Sequence, residues 1–166
     1  MAVWQTTFRN CTTVGRVCDL IMGNIWAAEK MLGIAVPEGI VEADDKNTYL
    51  EQAKKTSEEI ISQYPKCKWV ANTFRFDYKQ GIRYYTALYT NNELLVSKEY
   101  LSEKILDKVG SGDCFMAGLI YGFYKNNSPL DTLNFATAAA YNKLYIPSDA
   151  TTATVAEVEK TLAEND

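Results

Sequence analysis

The residues best suited to chemistry lie between positions 107 and 120, in the run D-K-V-G-S-G-D-C-F-M-A-G-L-I. Gly110, Ser111 and Gly112 follow an apolar stretch that ends in Ile105 and Leu106, and an amphipathic helix is predicted from Asp113 onward. A glycine-rich turn at a helix start can aim several backbone N–H groups at one point, where the positive end of the helix dipole adds to them. Such a turn binds anions. A carboxylate beside a bound anion is repelled by it, so Asp113 makes chemical sense facing a neutral hydroxyl that loses a proton as a phosphoryl group arrives. Phosphoryl transfer calls for this set: donors for the charge on the moving phosphate, and a carboxylate that orients and deprotonates the acceptor. The same four residues also suit a plainer reading, a tight turn with Asp113 as a helix N-cap.

Composition narrows the chemistry further. The chain of 166 residues has no histidine, which removes Ser-His-Asp and Cys-His nucleophiles, histidine metal sites and histidine proton shuttles together. Carboxylates, backbone amides, lysine, arginine or a bound cofactor must do the work. Cys11, Cys18, Cys67 and Cys114 form no C-x-x-C pair and match neither a zinc ribbon nor a disulfide framework, so they read as reduced packing residues. A net charge of -4 gives no electrostatic reason to expect nucleic acid or an anionic membrane as partner. No apolar run approaches membrane-spanning length, and the first residues do not read as a signal peptide. The expectation is a single cytoplasmic domain over residues 1–166.

The elements that must position Asp113 can be read in outline. V-C-D-L-I-M at 17–22 reads as a buried strand closed by Gly23-Asn24, and I-W-A-A-E-K-M-L as a helix that stops at Gly33. Residues 34–46 read as a surface connection, and Asn47 as the cap of a long helix that runs to Gln63. From Cys67 the period changes to β-branched and aromatic strand patterns, with a turn at Asn91-Asn92 making an antiparallel hairpin over 82–97. Ser128-Pro129 marks one later helix start and Thr154 with Glu157 a capping box for the last helix. Strands alternating with helices predict an α/β fold with a largely parallel sheet. Gly118 and Gly122 are expected to pack closely against that sheet, and Cys114 to be buried and inert.

The 107–120 run resembles the second signature of the PfkB/ribokinase carbohydrate kinases, usually close to D-T-T-G-A-G-D-x-F-x-x-G. Lys108 followed by Val is similar to the 2-keto-3-deoxygluconate kinase branch. So are L-Y-T-N-N-E-L-L-V-S-K-E-Y before the signature, and N-K-L-Y-I-P-S-D with T-V-A-E-V-E-K-T-L after it. D-L-I-M-G-N-I-W-A-A-E-K-M-L-G resembles the family's strand–Asn–helix segment. The resemblance implies a ribokinase-like three-layer α/β/α fold, ATP and Mg2+ as cofactors, and a sugar or sugar acid as the second substrate. It implies Asp113 as the catalytic base and Gly110-Ser111-Gly112 as the phosphate-binding hole. Asn24 falls where the family has a phosphate-side Asn, though Gly23-Asn24 serves equally as a turn and cap. Thr73 and Arg75 fall where it contacts the nucleotide, and Arg75 reads either as a phosphate donor or as a solvated arginine. Asn142 falls beside the adenine pocket; the A-T-A-A-A run before it leaves room for a flat ring or serves plain packing.

The chain departs from the pattern in two ways. Ala27 stands where the family places a Glu that helps hold magnesium, and Glu29 reads as a solvated helix acid, which leaves the metal ligands unknown. Family members are roughly twice this length, and the half resembling the sugar-binding strands and lid is absent here. Trp4 corresponds to a Leu-Trp pair downstream of a substrate-gripping arginine, and Arg9 is not that arginine. Three functions therefore stay open: a ketodeoxygluconate-type kinase, a kinase for fructose, ribose or a nucleoside, and a non-catalytic nucleotide-binding half-kinase. A sheet truncated on its N-terminal side is expected to expose an apolar edge and favour homo-oligomers.

Overall fold

The computed structural model describes residues 11–40, 45–79 and 81–164. In chain order the elements are β1 (Leu20–Gly23), α1 (Ile25–Leu32), α2 (Lys46–Gln63), β2 (Trp69–Tyr78), β3 (Gly81–Thr90), β4 (Glu93–Val96), β5 (Tyr100–Ser102), α3 (Ser111–Tyr124), α4 (Pro129–Lys143) and α5 (Val155–Glu164). Residues 11–15 are helical as well. Contacts divide the chain into two compact units, one running to Asn72 and including Ala87–Leu94, the other made of Thr73–Thr86 and the chain from Leu95 onward. Trp4 and Arg9 lie outside the described residues.

The expected α/β class holds, but the sheet is not largely parallel. Its five strands run in the order β1-β2-β3-β4, with β5 pairing β3. One pair is parallel, β1 with β2, in the register Leu20 opposite Trp69 through Gly23 opposite Asn72. β5 lies antiparallel on β3, with Ile82 opposite Ser102 and Tyr84 opposite Tyr100. Connection length explains the difference. A parallel neighbour needs a long crossover, and among the described strands only β1 and β2 are joined by one, which carries α1 and α2. β3 and β4 are joined by Asn91 and Asn92, both at positive φ (49° and 63°), the backbone that closes a tight antiparallel hairpin.

In the first unit, Asn24 caps α1 by accepting a hydrogen bond from the Ala27 N–H at 2.8 Å, and Gly33 closes it in the left-handed region. α2 starts earlier than predicted. Asp45, in extended backbone, is the cap: its carboxylate accepts from both the N–H and the hydroxyl of Thr48, which leaves Asn47 inside the first turn. A core of Ala28, Ile34, Ile60, Tyr64, Cys67, Val70 and Tyr89 forms beneath these helices. Buried Asn72 donates to the Ser57 hydroxyl at 3.3 Å, so the polar group at the end of that core is satisfied.

In the second unit, α3 packs on α4 and α5 on α4. Gly118 and Gly122 serve the first of these contacts, not the expected packing against the sheet. A Cβ on Gly118 would fall 2.5 Å from the Ala136 Cα, and one on Gly122 2.7 Å from the Thr132 side chain. Ser128 caps α4 with Pro129 in its first turn, and Thr154 and Glu157 form the predicted reciprocal box at α5. The A-T-A-A-A run is taken up by packing: Ala136, Ala138 and Ala140 are fully buried, and Thr137 shares a 2.6 Å hydrogen bond with Thr86. Replacing Gly118 by Ala is therefore expected to destabilise the protein by about 1–3 kcal/mol, the cost of overpacking a close contact. Urea unfolding measures it; a change below about 0.5 kcal/mol would match an ordinary surface site and contradict the tight helix crossing.

Candidate active site

The approach to the glycine turn is held by backbone bonds. The N–H groups of Leu106 and Asp107 both donate to the Leu144 carbonyl (2.8 and 3.2 Å), and the Asp107 carboxylate accepts from the Val109 N–H at 2.9 Å. Gly110 then takes φ 77°, and a Cβ there would collide with the Asp149 carbonyl. Glycine alone meets both demands. Buried Lys143 steadies the far side of this contact by donating from Nζ to the Ile146 carbonyl at 2.9 Å, just past the end of α4.

α3 begins at Ser111, two residues before the predicted start, with Gly110 as its N-cap. Its first ladder bond runs from the Cys114 N–H to the Gly110 carbonyl at 3.0 Å. The N–H groups of Ser111, Gly112 and Asp113 therefore have no partner within the helix and point out of its positive end. Asp113 lies in this first turn rather than at the cap, so the plain N-cap reading does not apply to it. Its carboxylate is exposed and makes no hydrogen bond or ion pair among the described residues. Three amides without a helical partner and a solvent-facing carboxylate thus share one helical turn.

Arg75 is brought to this turn from β2, which runs on past it to Tyr78. Its Nη1 donates to the Ser111 hydroxyl at 3.2 Å and to the Lys108 carbonyl at 3.5 Å. Ser111 in turn donates to the same carbonyl at 3.0 Å. Two residues further on the strand, Asp77 pairs with the Lys108 ammonium at 3.3 Å. Thr73, two residues earlier, is half-buried on the same strand face.

The remaining predicted residues are placed elsewhere. Asn142 accepts from the Thr161 hydroxyl at 2.8 Å and donates to the Glu157 carbonyl at 3.4 Å, so both ends of its amide hold α5 onto α4. Asn24 and Ala27, in the other unit, line a cavity of about 390 Å³ with Met22, Met31, Val70 and Asn72. Glu29 is exposed and accepts a 3.4 Å bond from the Val36 N–H. Among the described residues no group of three acids or cysteines could hold a metal ion. All four cysteines are free, and burial pushes the Cys67 and Cys114 thiols up, away from the reactive thiolate.

Two features escaped the sequence. The contact of Asp149 with Gly110 joins positions far apart in the chain, and only the proline-containing I-P-S-D turn hinted that this loop is fixed. The pairing of Asp77 with Lys108 is likewise long-range, with no local signal at all.

These observations define an α/β chain in which one glycine-rich helix start carries a carboxylate with no partner among the described residues. A family model described as "pfkB family carbohydrate kinase" matches residues 3–144, and the chain belongs to that family. It is similar to a 2-dehydro-3-deoxygluconokinase from Thermotoga maritima, at 28% identity and a TM-score of 0.79 over 95% of this chain and 46% of that one. It resembles a candidate ribokinase II from E. coli, solved in complex with ATP and Mg2+, at 17% identity and a TM-score of 0.66 over 92% of this chain and 42% of that one. At that identity the second likeness shows the fold alone. A 1-phosphofructokinase from Haemophilus influenzae is 46% identical over 55 residues, 32% of this chain and 18% of that protein. The fold is thus ribokinase-like, and the chain spans under half the length of these relatives.

The geometry of the turn sets opposite outcomes for its two glycines. Gly110→Ala is expected to destabilise by about 1–3 kcal/mol, through its positive φ and the Asp149 carbonyl. Gly112→Ala, at a helical position, is expected to be neutral or to stabilise by up to about 1 kcal/mol. Urea titration of both variants reads the comparison, and equal effects would contradict the close approach at Gly110.

Proposed function

We propose that this chain carries the nucleotide site and the catalytic base of a kinase that moves the γ-phosphoryl group of ATP to a hydroxyl of a sugar or sugar acid of the 2-keto-3-deoxygluconate type. The observation that carries the reading is the exposed, unpartnered Asp113 carboxylate in the same helical turn as three amides with no helical partner. The amides of Ser111, Gly112 and Asp113 stabilise charge on the transferring phosphate, where preorganised donors are worth most. Asp113 orients the acceptor hydroxyl and takes its proton as the phosphoryl group arrives. The Arg75 guanidinium beside the turn adds positive charge on the same side, and Thr73 on the same strand is proposed to shape the nucleotide's surroundings.

Magnesium enters this reading as part of the MgATP substrate. Ala27 and the lack of an acidic cluster among the described residues do not fit a resident ion held by side chains. Magnesium suits the alternative, since it keeps several waters and binds chiefly through substrate phosphates. One fold relative is in complex with ATP and Mg2+, and another is named a 2-dehydro-3-deoxygluconokinase. The 1-phosphofructokinase match favours a second reading, in which the acceptor is a fructose phosphate. No helix among the described residues is long and apolar enough to cross a membrane, and a cytoplasmic location is proposed on the free cysteines.

Coupled ADP release with ketodeoxygluconate, fructose phosphates, ribose and nucleosides tests the reading. In a complete kinase that includes the sugar-binding half, Asp113→Asn is expected to lower sugar-dependent turnover by roughly 10²–10⁴-fold, the usual worth of a positioned base, with nucleotide affinity nearly unchanged. A fall of less than about fivefold would deny Asp113 the role of base. The 166-residue chain by itself is expected to bind nucleotide without appreciable sugar-dependent turnover, because the groups that would fix the sugar belong to the other half; the same result in the complete protein would leave a non-catalytic binding module.

A further inference from the structure

A phosphate-binding turn has to keep its carbonyl oxygens away from the anion while its N–H groups face it. In this turn the Lys108 carbonyl is the one held from two sides, by the Ser111 hydroxyl at 3.0 Å and by Arg75 Nη1 at 3.5 Å. The Ser111 hydroxyl is itself buried and accepts from the same Arg75 nitrogen at 3.2 Å. That donor directs the hydroxyl proton onto the Lys108 carbonyl, because a serine oxygen accepting from arginine has one proton left to give. Arg75, Ser111 and Lys108 thereby form a closed triangle at the first residue of α3. β2 adds a second hold through Asp77, whose side chain leaves the same strand face and pairs with the Lys108 ammonium. That exposed ion pair is the weaker arm, being screened by water, so the triangle does most of the fixing.

We infer that Arg75 is a positioning residue for the anion site: it fixes the Lys108–Gly112 turn through Ser111 and the Lys108 carbonyl, rather than by touching the phosphate. The inference builds on the kinase reading but makes a separate claim about how the turn is held. A direct phosphate contact would act independently of Ser111. A brace acts through it.

A double-mutant cycle separates the two. Calorimetric titration with MgADP is run on the full chain and on Arg75→Ala, Ser111→Ala and the double variant, alongside amide hydrogen exchange at Val109 and Cys114, whose N–H groups are bonded to the Asp107 carboxylate and the Gly110 carbonyl. Each single change is expected to weaken MgADP binding by about 5–20-fold, as for a lost charge-assisted bond. The double variant is expected to bind no worse than the weaker single one, the non-additivity of groups that share one path. Asp77→Asn is expected to change binding by less than about twofold. Exchange at the two amides should rise alike in both single variants. Additive losses would overturn the brace and make Arg75 a direct contact. If the unsubstituted chain does not bind MgADP, the kinase reading fails while exchange still reads the brace, which unchanged exchange would overturn. Should Arg75→Ala fail to fold, Arg75→Met keeps the packed stem, loses the donors and enters the same cycle.

Discussion

Gly110 lies with φ 77° against the Asp149 carbonyl, and the rest of the candidate site depends on that contact. It forces the chain to turn just before α3, so that the helix opens at Ser111 with its first amides unused. It also ties the turn to the loop after α4, the same segment whose Leu144 carbonyl accepts from Leu106 and Asp107. The approach to the turn, the turn and the end of α4 are thus held as one body. Preorganisation of this kind lets backbone amides stabilise developing charge without having to reorient when it appears.

The helix behind the turn is placed with similar economy. Gly118 and Gly122 let α3 approach α4 to distances that no side chain would allow, and Phe115 and Leu119 of α3 and Leu133 of α4 are fully buried. Asp113 is carried on the opposite, exposed side of the same helix. Among the described residues it has no partner to lock its carboxylate, which suits a group whose partner is a substrate. Arg75, by contrast, is already engaged, and its bonds run to the turn itself. An engaged arginine and an unengaged carboxylate at one helix start have different tasks.

Much of this was legible in the amino-acid sequence, for identifiable reasons. α1, its closing Gly33, the Ser128 and Thr154 caps and the Asn91-Asn92 hairpin were all readable because each depends on residues within four positions of one another. The glycine turn and helix start within 107–120 were legible for the same reason. What failed was longer-range or depended on competition. Asp45 outcompeted Asn47 as a cap, because it sits where the backbone is still extended and its carboxylate can take two bonds from Thr48. The parallel sheet was over-read, since strand–helix alternation does not reveal that β3, β4 and β5 return by short connections. Asn142 was placed from the motif pattern alone, and the structure commits its amide to α5. The brace between Arg75 and Ser111 spans two elements and carries no local signature.

The central claim is that the start of α3 is a nucleotide phosphate site with its base beside it. Backbone amide chemical shifts during titration with MgATP test it most directly, because they read each N–H separately. The account predicts the largest shifts at Ser111, Gly112 and Asp113, saturating with nucleotide, and smaller ones at Gly110 and Arg75. A folded protein whose 110–113 amides stay unmoved at millimolar MgATP, or whose shifts cluster elsewhere, would contradict it.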